Sequence, residues 1–430
     1  MTAELSNQYR ICYNYFPDSI VNEKMLQNNY FDYQNSRKLL MAQQPYVFAQ
    51  FLSLISRYEF QRIVNKYKGD FHTKTFKCWH QMACMIFAHI RQEDSLRDID
   101  ISLNAHANKL YHIGIQQCPK STLADANEKR NYRIYEDFAK SLMQRARREY
   151  ARTELALDVD NAVYALDAST IDLTLSLFPW AKFRTTKGAV KLHAMIDLKG
   201  NLPAFATITD GKVHDVKAAP LVPIEPEGIY VVDRAYVDFD WLRSIDQNNA
   251  FFVTRLKKSI KWTRVISHPV DKSVGLRSDQ EILLFAKKTK AKYPKRLRRI
   301  SFRDEIQNRA LVFLTNNFLL PADTIAALYK ARWEIELFFK WIKQNLKVKS
   351  FYGTSPNAVK TQIWIAMLVY LILAIIKERY RLDQSLSQLL HFLEVNLFEQ
   401  KSLASIFCLN SRRILAVNFI EDNQLKLFEY

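Results

Sequence analysis

Between residues 162 and 256 the chain alternates short apolar runs with turn signals in an order that few folds accommodate. The runs 162–168 (AVYALDA), 189–197 (AVKLHAMID) and 202–209 read as strands, because β-branched and aromatic residues collect in them and turn residues bound them. Gly200 and Asn201 supply a hairpin turn between the second and third. A helix is predicted at about 216–221, a fourth strand at 228–232, a helix at 239–248 and a fifth strand at 250–256. Hairpin-linked strands followed by helix, strand, helix and strand predict an α/β class with a mixed five-stranded sheet and helices packed on it.

This is the element order of an RNase H-like core, in which the first and fourth strands are neighbours. Asp167 closes the first predicted strand and Asp233 the fourth, each ending an apolar run, YALD and YVVD. Singly, such an Asp reads as a cap or turn residue. Placed on adjacent strands, the two carboxylates reach one site. Phosphodiester cleavage needs an activated nucleophile and neutralisation of charge on the phosphate, and a pair of divalent ions held by carboxylate oxygens supplies both.

A third acid comes from the segment YKARWEIELFFKWIK, starting at Tyr329. At about 100° per residue, Tyr329, Arg332, Glu336 and Lys343 fall within an arc of about 60°, while Ile335, Leu337, Phe338 and Trp341 lie elsewhere. One face thus carries an acid among cations suited to DNA phosphates. The bland reading is a solvated helix with an Arg332–Glu336 pair four residues apart, contributing a few tenths of a kcal/mol.

Strand-like pieces recur between 258 and 320 (WTRVISH, EILLFAK, RLRRISFRD, ALVFLTNN) around the basic stretch AKKTKAKYPKRLRRIS, and predict a β-rich insertion into the core. Helices resume at Asp323 and are expected to continue through Lys347. Upstream, residues 45–155 read as an all-helical N-terminal domain: a helix from Pro45 to about Gly69, CWHQMACMIFAHI, a helix capped by Ser95, and a basic one after Pro119 capped by Ser121. The turn near Gly114 makes this compatible with a helix-turn-helix reader or with a plain helical bundle. The basic run 145–152 serves DNA or is a solvated face. Residues 1–44 form an N-terminal arm without an assignable role, and 386–430 a C-terminal helical segment. The expected division is 45–155, a core of 156–257 and 321–385, and the insertion 258–320.

Two or three domains suit 430 residues, since single cores rarely exceed roughly 250. A net charge of +18 points to a polyanionic partner, with nucleic acid and anionic membrane surfaces both open on charge alone. The apolar run 363–376 is about 14 residues where a membrane span needs roughly 20, so a core helix and no membrane contact are expected. Cys12, Cys78, Cys84, Cys118 and Cys408 are scattered, without C-x-x-C or zinc-finger spacing, and no secretory signal opens the chain; a reducing cytoplasm is expected. Asp210, His214 and Asp215 in TDGKVHD, and Lys187, Lys191 and His193, read as capping or surface residues or as neighbours of the site. Trp180 and Trp262 read as core, with base stacking as the alternative.

From Tyr164 to roughly Gly353 the chain resembles the insertion sequence 4 family of bacterial DDE transposases. LDAS at 166–169 is similar to the family's first-Asp strand and VVDRAY at 231–236 to its second-Asp segment. Tyr329, Arg332, Glu336 and Lys343 reproduce its Y-R-E-K spacing. The helical stretch from Pro45 to about Lys140 also resembles, in texture, the N-terminal domain of part of the family. The resemblance implies that Asp167, Asp233 and Glu336 bind two Mg²⁺ ions, for which Mn²⁺ substitutes, and that Tyr329, Arg332 and Lys343 contact DNA. It implies metal-dependent strand cleavage and strand transfer at terminal inverted repeats into target DNA, a homodimer on DNA, and a bacterial, nucleoid-associated location. A nuclease of the same fold without strand transfer and a non-catalytic DNA-binding descendant are the alternatives.

Overall fold

Pairing follows the expected order over the first five strands and then departs from it. The computed structural model describes residues 45–153, 157, 159–185, 187–304, 308–346 and 350–407; the expected arm 1–44, the end of the C-terminal segment, Cys12, Cys408 and Lys347 lie outside them. Strands β1 (Val163–Leu173), β2 (Gly188–Asp197) and β3 (Leu202–Asp210) form an antiparallel meander. Asn201, at φ 56°, takes the left-handed conformation that the turn before β3 needs. On the other side of β1, β4 (Ile229–Val232) and β5 (Phe251–Arg255) add in parallel.

The predicted insertion does not form a sheet of its own. Strands β6 (Trp262–His268), β7 (Leu276–Leu284), β8 (Leu297–Asp304) and β9 (Arg309–Thr315) continue the same sheet, giving nine strands in the order β3-β2-β1-β4-β5-β9-β8-β7-β6. The five-stranded expectation is corrected accordingly. The physical reason is edge protection: β5 alone would leave a row of unpaired backbone groups, and β9 covers it from Val253↔Thr315 to Arg255↔Phe313. β7 starts five residues before the predicted piece, because its buried positions include a charge. Asp279 is buried against Arg298 of β8 at 2.9 and 2.7 Å, and Arg298 also donates to the Leu320 carbonyl at 2.6 Å. An apolar pattern cannot register such a strand. The basic stretch after β7 carries a short helix, α10 (Lys287–Lys292), that was not expected.

Side chains alternate across the sheet. Val163, Ala165, Ile171 and Leu173 join one apolar cluster and Tyr164 and Leu166 the other. The second cluster is closed by α9 (Phe239–Gln247), through Trp241 and Leu242; the short α8 (Asp215–Ala218) precedes it in the chain. The first is far larger. It contains α11 (Ala322–Ala331), α12 (Trp333–Asn345), α13 (Pro356–Arg379) and the N-terminal helices α1 (Val47–Ser53), α2 (Arg57–Lys66), α3 (Cys78–Ile90), α4 (Leu96–Ala105), α5 (Ala107–Ile113), α6 (Lys120–Lys129) and α7 (Arg133–Glu149), ending with α14 (Leu386–Asn396) and α15 (Leu403–Phe407).

Local chemistry explains most helix boundaries and corrects two. Ser56 accepts from Glu59 N, so the helix expected over 45–69 is two. Ser95 caps α4 as predicted, accepting from Asp98 N at 3.2 Å, and Gly114 closes α5 at φ 72°. Ser121 lies inside α6, whose cap position is Pro119 at φ −55°. The basic run is also reassigned in part: Arg145 donates to the Leu54 carbonyl, and Arg147 pairs with Glu225 at 2.9 Å and Asp197 at 3.3 Å, tying α7 to the sheet. Helix α13, long and apolar enough by composition to cross a membrane, is almost wholly buried and packs on α3, α6, α7 and β3.

Two outcomes test this packing. Asp279→Ala strands the buried Arg298 charge and is expected to destabilise the fold by about 3 kcal/mol in denaturant unfolding, whereas Lys129→Ala, in an exposed pair with Asp125, costs well under about 1 kcal/mol. His89 is fully buried, its Nε2–H donating to the Gln362 carbonyl at 3.2 Å, and burial pushes its pKa down to about 4. The unfolded chain therefore takes up a proton near pH 6.5 that the folded chain refuses. Stability is complete above that pH and falls toward pH 4 at up to about 1.4 kcal/mol per unit. His89→Met is expected to reduce the drop in thermal midpoint between pH 7 and pH 5.

Candidate active site

Parallel register decides where the first two acids meet. Leu166 of β1 lies opposite Val232 of β4, so the residues that follow them, Asp167 within β1 and Asp233 just past β4, stand at the same level of the sheet. Asp233 ends its strand and caps a single 3-10 turn, its carboxylate accepting from Ala235 N at 3.3 Å. Asp167 does not close β1, contrary to expectation: pairing with β2 continues from Asp167↔Ala194 to Leu173↔Gly188. The longer β2 carries β1 past its partner β4. Asp167 is in phase with Val163 and Ala165, and its carboxylate meets the helical side of the sheet.

That side is where the α11–α12 segment crosses. Arg332 is the single residue between these helices. Its Nη1 donates to Asp167 Oδ2 at 2.7 Å and its Nη2 to Glu336 Oε1 at 2.6 Å. Tyr329, one turn earlier, is buried on Phe313 of β9 with ring centroids 5.0 Å apart, and its hydroxyl donates to Asp233 Oδ1 at 3.4 Å. Lys343, at the far end of α12, donates to the Thr170 carbonyl of β1 at 2.6 Å. The structure thus brings all six sequence-predicted residues onto β1, β4 and one helical face. The helix predicted as continuous breaks at Arg332, yet the arc from Tyr329 to Lys343 still faces the strands.

Electrostatics ties the group together. Burial pushes the Asp167 carboxyl up to about 6, against the Ala168 backbone N–H and Arg332, with Asp233 and Glu336 adding repulsion. Burial opposes the charge on Arg332, but Asp167, Tyr329 and Glu336 outweigh it and raise the guanidinium above its ordinary value. Burial also raises the Tyr329 hydroxyl, which stays a neutral donor. Among the described residues no three His, Cys, Asp or Glu side chains are already gathered tightly enough to hold a metal ion. The donor set nonetheless suits hard divalent ions: the oxygens are carboxylates, and two of them already share one cation, the guanidinium.

The remaining candidates sort by contact. Lys191 holds Asp215 at 2.9 Å and the Val213 carbonyl, and His193 is buried on Thr209, with burial lowering its pKa to about 4. Asp210, His214 and Lys187 are exposed. Trp262 is half-buried beneath Arg299, 4.7 Å away, and Trp180 donates to the Thr354 carbonyl. Residue-by-residue reading passed over Tyr236, wholly buried behind the site, whose hydroxyl has no partner among the described residues and lies in the field of Asp215, Asp167 and Asp233. Its place in VVDRAY was the available signal. Trp333 and Leu337 are exposed on α12, one turn apart beside Glu336.

Comparison with known proteins identifies the family. Residues 160–372 match the transposase DDE domain family, and residues 43–116 match a domain of unknown function (DUF4372). A putative transposase of Sinorhizobium fredii is 33% identical over 66% of this chain and 79% of its own length. A probable insertion-sequence transposase of Geobacillus stearothermophilus is 27% identical over 78% and 84% respectively. Among solved structures, a piggyBac transposase synaptic complex with hairpin DNA aligns only loosely, with a TM-score of 0.42 at 10% identity over 86% of this chain and 82% of that one. The chain belongs to the DDE transposases, insertion-sequence enzymes that bind, cut and rejoin DNA and depend on divalent metal ions.

Proposed function

We propose that Asp167, Asp233 and Glu336 are the catalytic acids of this transposase and hold two divalent ions, Mg²⁺ with Mn²⁺ as a substitute. The observation that carries this reading is the in-register placement of Asp167 and Asp233, with Arg332 joining Asp167 to Glu336. When bound, such ions activate the nucleophile and neutralise charge developing on the phosphate. The protein's own residues do the positioning: the two strands fix two carboxylates, and α12 carries the third toward them.

Tyr329, Arg332 and Lys343 are proposed to hold transposon-end DNA, the two cations against backbone phosphates. The strand order β3-β2-β1-β4-β5 supports an RNase H-like core over 156–257 and 321–385, with 258–320 as the insertion that extends its sheet and 386–430 as the C-terminal helical segment. The Y-R-E-K spacing supports the insertion sequence 4 family. On this reading the helical part, 45–155, recognises the terminal inverted repeats, a homodimer pairs the two ends, and the freed 3′-hydroxyl attacks target DNA at the bacterial nucleoid.

Nicking of linear DNA carrying the element's ends tests the acids. Asp167→Asn, Asp233→Asn or Glu336→Gln is expected to lower Mg²⁺-dependent nicking by roughly a thousandfold or more while leaving end binding, measured without divalent ions, within a few-fold. Normal nicking by any of the three would falsify its role. Strand transfer from a pre-cleaved end distinguishes a transposase from a nuclease. Lys343→Ala is expected to weaken end binding and reduce the salt slope of log affinity by about one, the signature of one lost phosphate contact; an unchanged slope removes Lys343 from the DNA interface.

A further inference from the structure

The guanidinium of Arg332 stands where a cation is wanted. It bridges Asp167 Oδ2 at 2.7 Å and Glu336 Oε1 at 2.6 Å, with only 13% of its side chain exposed. A divalent ion shared by those acids needs the same oxygens. Guanidinium and metal therefore compete for the same two oxygens.

Three further features make this arginine displaceable. Its Nε is buried without a partner among the described residues, so the bridge leaves one strong donor unsatisfied there. Arg332 is also the one residue separating α11 from α12, the natural place for a small change in backbone to swing a side chain. A DNA phosphate offers a doubly accepting partner that matches the planar fork better than two carboxylates on separate elements. The Tyr329 ring, 5.7 Å from the guanidinium carbon, limits its excursion to the neighbourhood of the site.

We propose that before DNA binds Arg332 occupies the cation position between Asp167 and Glu336, and that its transfer to a DNA phosphate frees these oxygens for the divalent ion. Metal loading is thereby coupled to substrate: DNA strengthens metal binding, and by linkage metal strengthens DNA binding by the same factor. This rests on the assignment of the acids above. A charge that leaves the carboxylates as another arrives keeps the buried cluster compensated in both states.

The test measures Mn²⁺ binding to the full chain by electron paramagnetic resonance, with and without a pre-cleaved end duplex that offers no bond to cut. Wild type is expected to bind Mn²⁺ more tightly with the duplex, by roughly 5- to 150-fold. Arg332→Gln is expected to bind tightly without DNA and to gain little from it. Equal Mn²⁺ affinity for wild type and Arg332→Gln without DNA, with Asp167→Asn losing binding, overturns the proposal and leaves the acid assignment standing. Undiminished Mn²⁺ binding by Asp167→Asn overturns the assignment, and the coupling with it. If Arg332→Gln fails to fold, as read by thermal unfolding, wild type alone decides: Mn²⁺ affinity that is the same with and without duplex overturns the proposal.

Discussion

A carboxylate withdrawn from water is costly unless a cation stands beside it, and Asp167 is such a carboxylate, held on the helical face of the sheet where burial favours its neutral form. Arg332 supplies the cation in this structure and reaches Glu336 with its other nitrogen. Much of the architecture holds that contact in place. β4 aligns Asp233 with Asp167, β2 carries β1 past the acid, and β9 gives Tyr329 an aromatic partner in Phe313.

The helix carrying Arg332 and Glu336 is itself supported from behind. Phe338 and Trp341 of α12 pack edge-on against Tyr370 of α13, whose hydroxyl donates to the Asn201 carbonyl at the β2–β3 turn. Asn201 also donates to Glu334 of α12 at 2.8 Å. Hairpin, α12 and α13 are locked together, and α13 is in turn enclosed by the N-terminal helices. Helices and sheet therefore share one apolar cluster.

Much of this was legible from residues alone. The succession of the first five strands along the chain, the hairpin at Asn201, the Ser95 cap, the Gly114 turn and α13 all follow from signals that act over a few residues, where conformational preference and solvent exclusion dominate. What was not legible depends on partners distant in sequence. Asp279 interrupts an apolar pattern and is buried because Arg298 lies on the next strand. Arg145 and Arg147 read as a solvated or DNA-facing run, but their acceptors are a helix-end carbonyl, Asp197 of β2 and Glu225 just before β4. Ser121 read as a cap because caps are judged by type, while Pro119, two residues earlier, already sets the helix start.

At the site the same division holds. Residue type and spacing determined the candidates: two acids after apolar strands and a Tyr, Arg, Glu and Lys at helical intervals, because hard-ion chemistry and helix geometry restrict what can stand there. Only the tertiary structure decided that Asp167 lies within its strand, that the helix breaks at Arg332, and that the guanidinium rests between two acids. Those facts turn on strand pairing and charge compensation between segments about 165 residues apart, and no local signal carries them.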